Sequence, residues 1–116
     1  MKKCIYIALI TAFFSTNARA YFYDGNHLQK LMAEYQKAIR KDTTTDYSDA
    51  WAFRAYVIGV HDTVGHLELY CSPSNLREQQ TASIVARFME KNPAYWSKPG
   101  SDIVIAAMKE SFPCSE

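Results

Sequence analysis

Five side chains of this 116-residue sequence could carry out chemistry, namely Cys71, Cys114, His61, Asp62 and His66. A pair of cysteines can form a disulfide, and a free cysteine beside a histidine can act as a nucleophile. Histidine and aspartate can bind a metal ion or transfer protons. His61 and His66 are five positions apart, so they do not share one face of a helix, and no third ligand follows at a zinc spacing. We interpret both histidines as surface or core residues, with a pH-sensing role as the remaining alternative, and expect no metal and no cofactor.

Residues 1–20 have the three parts of a secretory signal peptide. Lys2 and Lys3 precede an apolar run over residues 4–14, and Ala18-Arg19-Ala20 is a small-x-small cleavage site. The alternative is an N-terminal membrane anchor, but the apolar run of about eleven residues is shorter than the roughly 20 that span a bilayer. We therefore expect cleavage after Ala20 and a single secreted domain over residues 21–116.

The number of cysteines supports this interpretation. Cleavage would remove Cys4 and leave Cys71 and Cys114 as an even pair in an oxidising compartment. We expect the two to form a disulfide, the alternative being two free thiols. Closing the loop between them would contribute roughly 4 kcal/mol in the chain-entropy model, which is a large share of the stability of so small a domain.

The charge balance argues against two classes of partner. Cleavage would remove three basic residues, so Lys plus Arg would fall from 13 to 10 against 12 Asp plus Glu, a net charge of −2. A slightly acidic balance without a charge pattern along the sequence is not typical of proteins that bind nucleic acid or an anionic membrane surface. We expect neither partner.

Apolar residues at spacings of three and four predict four helices. The first opens at Asn26, a favourable N-cap, and ends in the basic pair at residues 40–41. The second covers about residues 48–62 and is apolar on nearly every side, which predicts a central, buried helix. Gly59 within it costs ~1 kcal/mol relative to alanine, so we expect a neighbouring backbone to pass close by. Residues 63–71 fit either an extension of this helix or an extended link.

The third helix opens with a capping box of Asn75 and Glu78 and ends before Pro93, and the fourth covers about residues 102–112. The apolar faces of the first, third and fourth helices predict a core of Leu28, Leu31, Met32, Tyr35, Ile39, Ala82, Val85, Phe88, Met89, Ile103, Ala106, Ala107 and Met108. If the last two helices are antiparallel neighbours, the two mature cysteines meet at one end of the pair. The sequence therefore predicts an all-α fold, a small four-helix bundle joined by one disulfide, Cys71–Cys114.

The connection between the third and fourth helices, residues 93–100, holds two prolines and the aromatic pair Tyr95 and Trp96. Aromatic side chains on a stiff loop lose little entropy on binding and are enriched in interface hot spots. The alternative is that Trp96 folds back and covers the end of the bundle.

Three segments, taken in order, match a known family pattern. They are Tyr56-Val57-Ile58-Gly59-Val60-His61-Asp62, then Cys71-Ser72-Pro73 followed by Gln80 and Ile84-Val85, then Asn92-Pro93 leading to Phe112-Pro113-Cys114. Within the first, Tyr56, Gly59 and Asp62 form the motif. The opening Phe22-Tyr23-Asp24-Gly25-Asn26 and Leu31 also fit. Over nearly all of residues 21–116 the chain resembles the Rap/Tai family of type VI secretion amidase immunity proteins.

The resemblance implies a small, helical, periplasmic protein that is not an enzyme. Such a protein forms a homodimer and protects a bacterium from an injected peptidoglycan amidase. A loop enters the substrate groove of the amidase and covers its catalytic Cys-His pair. In this chain the loop between the third and fourth helices would make the contact, through Asn92, Tyr95, Trp96, Ser97 and Lys98.

One feature departs from the family pattern. Many members carry a second cysteine pair, and Tyr35 and Phe53 occupy those places here. Both partners are replaced together, so we expect an aromatic contact between them in place of the disulfide.

Two other functions fit the composition. The first is a periplasmic acid-stress chaperone of the HdeA type, since such proteins are also small, helical and disulfide-bonded. The second is a small secreted enzyme that uses His61 and Asp62.

Overall fold

The computed structural model describes residues 21–115. Its four helices are α1 (Gly25–Ile39), α2 (Tyr47–Val64), α3 (Glu78–Lys91) and α4 (Gly100–Ser111), with short 3-10 turns at Gly65–Leu67 and Pro93–Ser97. Over the same residues the β-type pairing is limited to one isolated bridge between Asp24 and Pro99. No helix in this part of the chain is both long and apolar enough to cross a membrane. The predicted signal peptide and its cleavage site lie outside the described residues.

The disulfide joins the two ends that the sequence predicts. Cys71 and Cys114 are bonded, with their Cα atoms 4.9 Å apart. The Cys71 backbone N–H also donates to the Phe112 carbonyl at 2.8 Å. The segment before α3 is therefore held beside the segment after α4. The prediction of an all-α four-helix bundle with this disulfide is confirmed.

The core lies where the four helices meet. Most of the predicted core is buried, and Val104 joins it from α4. Two predicted members differ, since Ala106 is half-buried and Ile39, at the last turn of α1, is 49% exposed. α2 packs against each of the other three helices, but Trp51 on it is 60% exposed. The prediction of a central helix is therefore correct, but α2 is not buried on nearly every side, because one of its faces is open to solvent.

Two predicted helix starts are wrong. Asp24, not Asn26, caps α1, and its carboxylate accepts the His27 backbone N–H at 2.8 Å. α3 begins at Glu78, three residues after the predicted cap at Asn75. There the Gln80 side chain accepts the N–H of residue 77 at 2.9 Å, so another side chain does the capping. Several polar residues near each start can cap a helix, and the tertiary position of the chain selects one of them.

The expectation of a close backbone contact at Gly59 is also wrong. A Cβ atom built on Gly59 would meet nothing within 4 Å. The ambiguous stretch after residue 62 is partly helical, since α2 continues to Val64 and the 3-10 turn follows it. Glu68 then has a left-handed backbone with φ of 54°, which turns the chain away from the helix axis.

Candidate functional site

The connection between α3 and α4 is a compact turn. Residues 93–97 form the second 3-10 turn, and the Lys98 N–H donates to the Tyr95 carbonyl at 2.8 Å. The Asn92 side-chain amide donates to the Phe88 carbonyl at 2.8 Å, so it satisfies one of the free carbonyls at the end of α3. Among the predicted contact residues, Asn92 therefore stabilises the turn from within.

Trp96 folds back onto the bundle. Its indole Nε1–H donates to the Met89 carbonyl at 3.0 Å, and its ring is half-buried against the core. The buried indole N–H needs an acceptor, and the end of α3 supplies one. Trp96 thus supports the turn, as the second alternative from the sequence expects.

Tyr95, Ser97 and Lys98 face solvent. The Tyr95 side chain is 37% exposed and packs edge-to-face on Phe88, with ring centroids 5.0 Å apart. This packing limits the rotamers of Tyr95 while leaving part of its ring accessible. These three side chains are the part of the predicted contact set that a partner protein can reach.

The turn is attached to the start of the described chain by backbone hydrogen bonds. The Gly25 N–H donates to the Lys98 carbonyl at 2.9 Å, and the Gly100 N–H donates to the Tyr23 carbonyl at 2.8 Å. Such pairing brings the two segments very close. A Cβ on Gly25 would collide with the Trp96 backbone, and one on Gly100 would lie 2.7 Å from the Tyr56 hydroxyl. Gly25 therefore requires glycine, because the obstructing atoms are backbone, whereas a Cβ at Gly100 would require the Tyr56 ring to shift.

Tyr56 connects α2 to the base of the turn. Its ring packs edge-to-face on Tyr23 with centroids 5.2 Å apart. Burial raises the pKa of the Tyr56 hydroxyl, and a hydrogen bond with the Ser101 backbone partly offsets that rise. The other two residues of the predicted motif, Gly59 and Asp62, lie exposed on α2 and do not reach the turn.

Sequence reasoning missed Gly25, Gly100 and Tyr23 as parts of this site. A signal was present, since each glycine comes directly before an apolar helical pattern and occupies the first position of a helix. Nothing local shows that the two helix starts lie side by side.

His61 takes part in packing. Its Nδ1 lies 2.7 Å from the hydroxyl of Tyr70, and the two rings are stacked with centroids 5.7 Å apart. Tyr70 is 5% exposed, and burial together with the nearby Asp62 charge raises its pKa. Among residues 21–115, no group of three or more His, Cys, Asp or Glu side chains could hold a metal ion. The neighbours of His61 are those of a histidine that stabilises the fold.

The aromatic pair predicted in place of a second disulfide is present. The Tyr35 and Phe53 rings lie 5.2 Å apart, and both side chains are buried. The Tyr35 hydroxyl shares a 3.0 Å hydrogen bond with Ser83 Oγ, so this pair also connects α1 to α3. The expected aromatic contact is confirmed.

A family model described as Rap1a immunity proteins matches residues 24–114. The matched range includes all four helices, both 3-10 turns and both bonded cysteines. The search of curated proteins and the search of solved structures found no match.

Proposed function

Because the chain belongs to the Rap1a immunity protein family, we propose that it binds a cognate peptidoglycan amidase of a type VI secretion system and covers the active site of that enzyme. Membership of the family implies an immunity protein that binds a partner effector protein. Such proteins are generally not enzymes. The amidase as the target, the periplasm as the location and a homodimer as the assembly are part of the proposal.

The observation that carries the proposal is the rigid presentation of Tyr95. The second 3-10 turn is hydrogen-bonded to α3 on one side and to residues 23–25 on the other. A turn held in this way loses little conformational entropy when it enters a groove. Tyrosine is a frequent hot-spot residue because it offers a large contact area with few rotatable bonds. We assign the effector contact to Tyr95, Ser97 and Lys98, and a positioning role to Asn92 and Trp96.

The disulfide supports a location outside the cytoplasm. Disulfides persist in oxidising compartments such as the bacterial periplasm and are rare in the cytosol. An amidase acts on the cell wall in that same compartment, so protein and target would meet there. The signal-like composition of residues 1–20 is consistent with this location.

Binding to a cognate peptidoglycan amidase, sought first among the products of neighbouring genes, tests the proposal. We expect a stable complex and loss of peptidoglycan hydrolysis when the two purified proteins are mixed. Tyr95→Ala should weaken the complex at least about tenfold, which corresponds to roughly 1.4 kcal/mol. Leu67→Ala is the matched control, because Leu67 is an exposed apolar residue on the other 3-10 turn. An absence of binding at micromolar concentration would contradict the proposal, and equal effects of the two variants would remove Tyr95 from the contact.

A further inference from the structure

A long groove crosses the face formed by α1 and α3. Its central part has a volume of about 660 Å³ and lies between the last turns of α1 and residues 79–87 of α3. It continues into a hollow beside Pro73 and into a smaller one beside Trp51, with which it shares lining residues. We call this continuous feature the α1–α3 groove. Its elongated form suits a peptide segment better than a small molecule.

The groove combines an apolar floor with a basic edge. Leu76, Ile84 and Phe112 are half-buried in the floor. Arg77 and Arg87 are exposed at the edge, and Arg40 lines the end of α1. No aspartate or glutamate lines any of the three connected hollows. Two carboxylates outside the lining bond to lining residues, Glu90 to Gln36 and Glu78 to Arg54. The lining itself thus carries positive charge beside an apolar surface.

These arginines are not neutralised within the described chain. In residues 21–115 the ion pairs within 4.0 Å are Lys37 with Glu34 and Arg54 with Glu78. Asp42 acts on Arg40 only through a longer-range electrostatic interaction. The guanidinium groups of Arg77 and Arg87 thus keep their donors for a partner, and each can bind a carboxylate with two parallel hydrogen bonds.

Charge also argues against two occupants of the groove that this chain could supply, namely a second copy of it and its residues 1–20. A symmetric dimer across this groove would place the arginines of one copy against those of the other, and like charges in an interface are costly. Residues 1–20 contain Lys2, Lys3 and Arg19 but no acidic residue, so they do not complement the groove either. A flat anionic membrane would contact the basic edge but leave the concave apolar floor unfilled.

We propose that the α1–α3 groove binds an acidic, amphipathic segment of a partner protein. The apolar side chains of that segment lie on Leu76, Ile84 and Phe112, and its carboxylates pair with Arg77 and Arg87. The second 3-10 turn lies at the other end of the α3–α4 pair, next to the end of α3. The groove is therefore a second binding surface, and the inference does not depend on the proposed role of the turn.

An unbiased peptide selection tests the inference. A display library of random peptides is selected against the disulfide-bonded protein, and the dissociation constants of the enriched peptides are measured at low and high salt. We expect peptides with acidic and apolar residues interleaved, bound more weakly as salt rises. The Arg77→Gln/Arg87→Gln variant should weaken their binding at least tenfold. Lys30→Gln/Lys109→Gln changes the charge equally outside the groove and should weaken binding less than twofold.

Four outcomes of the binding measurements would overturn the inference. They are an absence of enriched peptides, enriched peptides without acidic residues, equal binding to both charge variants, and arginine-dependent binding to phosphatidylglycerol vesicles in place of peptides. A concentration-dependent dimer that the arginine variant abolishes would assign the groove to a second copy, which also overturns it. If Arg77→Gln disturbs the start of α3, Arg87→Gln alone repeats the test. Amidase inhibition by the same variants is measured separately, so failure here leaves the proposed function unaffected.

Discussion

Alanine substitutions at Gly25 and Gly59 separate the packing of the turn from the helix propensity of glycine. Both residues lie in helices without a positive φ, so the intrinsic preference favours alanine at each by up to ~1 kcal/mol. They differ in their surroundings. A Cβ at Gly25 would collide with the Trp96 backbone and lie 2.7 Å from Ile103 Cδ1, whereas a Cβ at Gly59 would meet nothing within 4 Å.

We therefore expect effects of opposite sign. At Gly25 the added methyl must push two backbone segments apart, and overpacking of this kind costs about 1–3 kcal/mol. Separation of the segments would also weaken the hydrogen bond from the Gly25 N–H to the Lys98 carbonyl, a loss of about 1 kcal/mol. After subtraction of the helix-propensity gain, Gly25→Ala should lower the free energy of unfolding by roughly 1–3 kcal/mol. Gly59→Ala should raise it by roughly 0.5–1 kcal/mol.

Urea unfolding under non-reducing conditions measures both changes. The midpoints should move in opposite directions with an unchanged slope, because neither substitution alters the surface exposed on unfolding. Gly25→Ala should also weaken binding to the proposed amidase target, since it displaces the base of the turn. If Gly25→Ala were neutral or stabilising, the close approach of residues 25 and 96 that we describe would be incorrect.

Three further predictions concern other contacts. Cys71→Ser/Cys114→Ser should lower the free energy of unfolding by about 4 kcal/mol, because the disulfide closes a separation of 43 residues, and urea titration measures the loss. Trp96→Phe removes the donor to the Met89 carbonyl and should cost about 1 kcal/mol in the same assay, with an unchanged midpoint arguing against that hydrogen bond. Burial raises the pKa of the Tyr56 hydroxyl above its ordinary value of 10.0 in the folded protein. The contribution of Tyr56 to the free energy of unfolding should therefore be fully present below pH 10.0 and be lost as the pH rises through the raised pKa. Tyr56→Phe should reduce this loss of stability at alkaline pH, and circular dichroism measures the unfolding.

The predictions from hydrophobic spacing were accurate where the signal is local. The periodicity of α1, α3 and α4 identified most of the buried residues, because a side chain three or four positions along a helix lies on the same face. The wrong assignments fall at helix ends. Asn26 and Asn75 are good caps in isolation, but the chain uses Asp24 and the Gln80 side chain instead. Which polar residue caps a helix depends on the direction from which the chain enters it.

The sequence also predicted two long-range contacts, and both depended on residue pairs rather than periodicity. The disulfide followed from an even cysteine count and the positions of the two cysteines relative to the last two helices. The contact between Tyr35 and Phe53 followed from their occurrence at places where the family pattern has cysteines. In each case the identities of two residues indicated the contact, so the fold did not have to be known.

By itself, therefore, the sequence determined the helical class, the buried faces, the bonded cysteines and the family. Only the tertiary structure decided that Trp96 folds inward, that Gly25 and Gly100 bring two helix starts together, and that Arg40, Arg77 and Arg87 border one apolar groove. The physical reason is that helix formation and amphipathicity depend on neighbours within a few residues, whereas these features depend on distances between segments far apart in the chain. Such distances are set by how the side chains of all four helices pack at once.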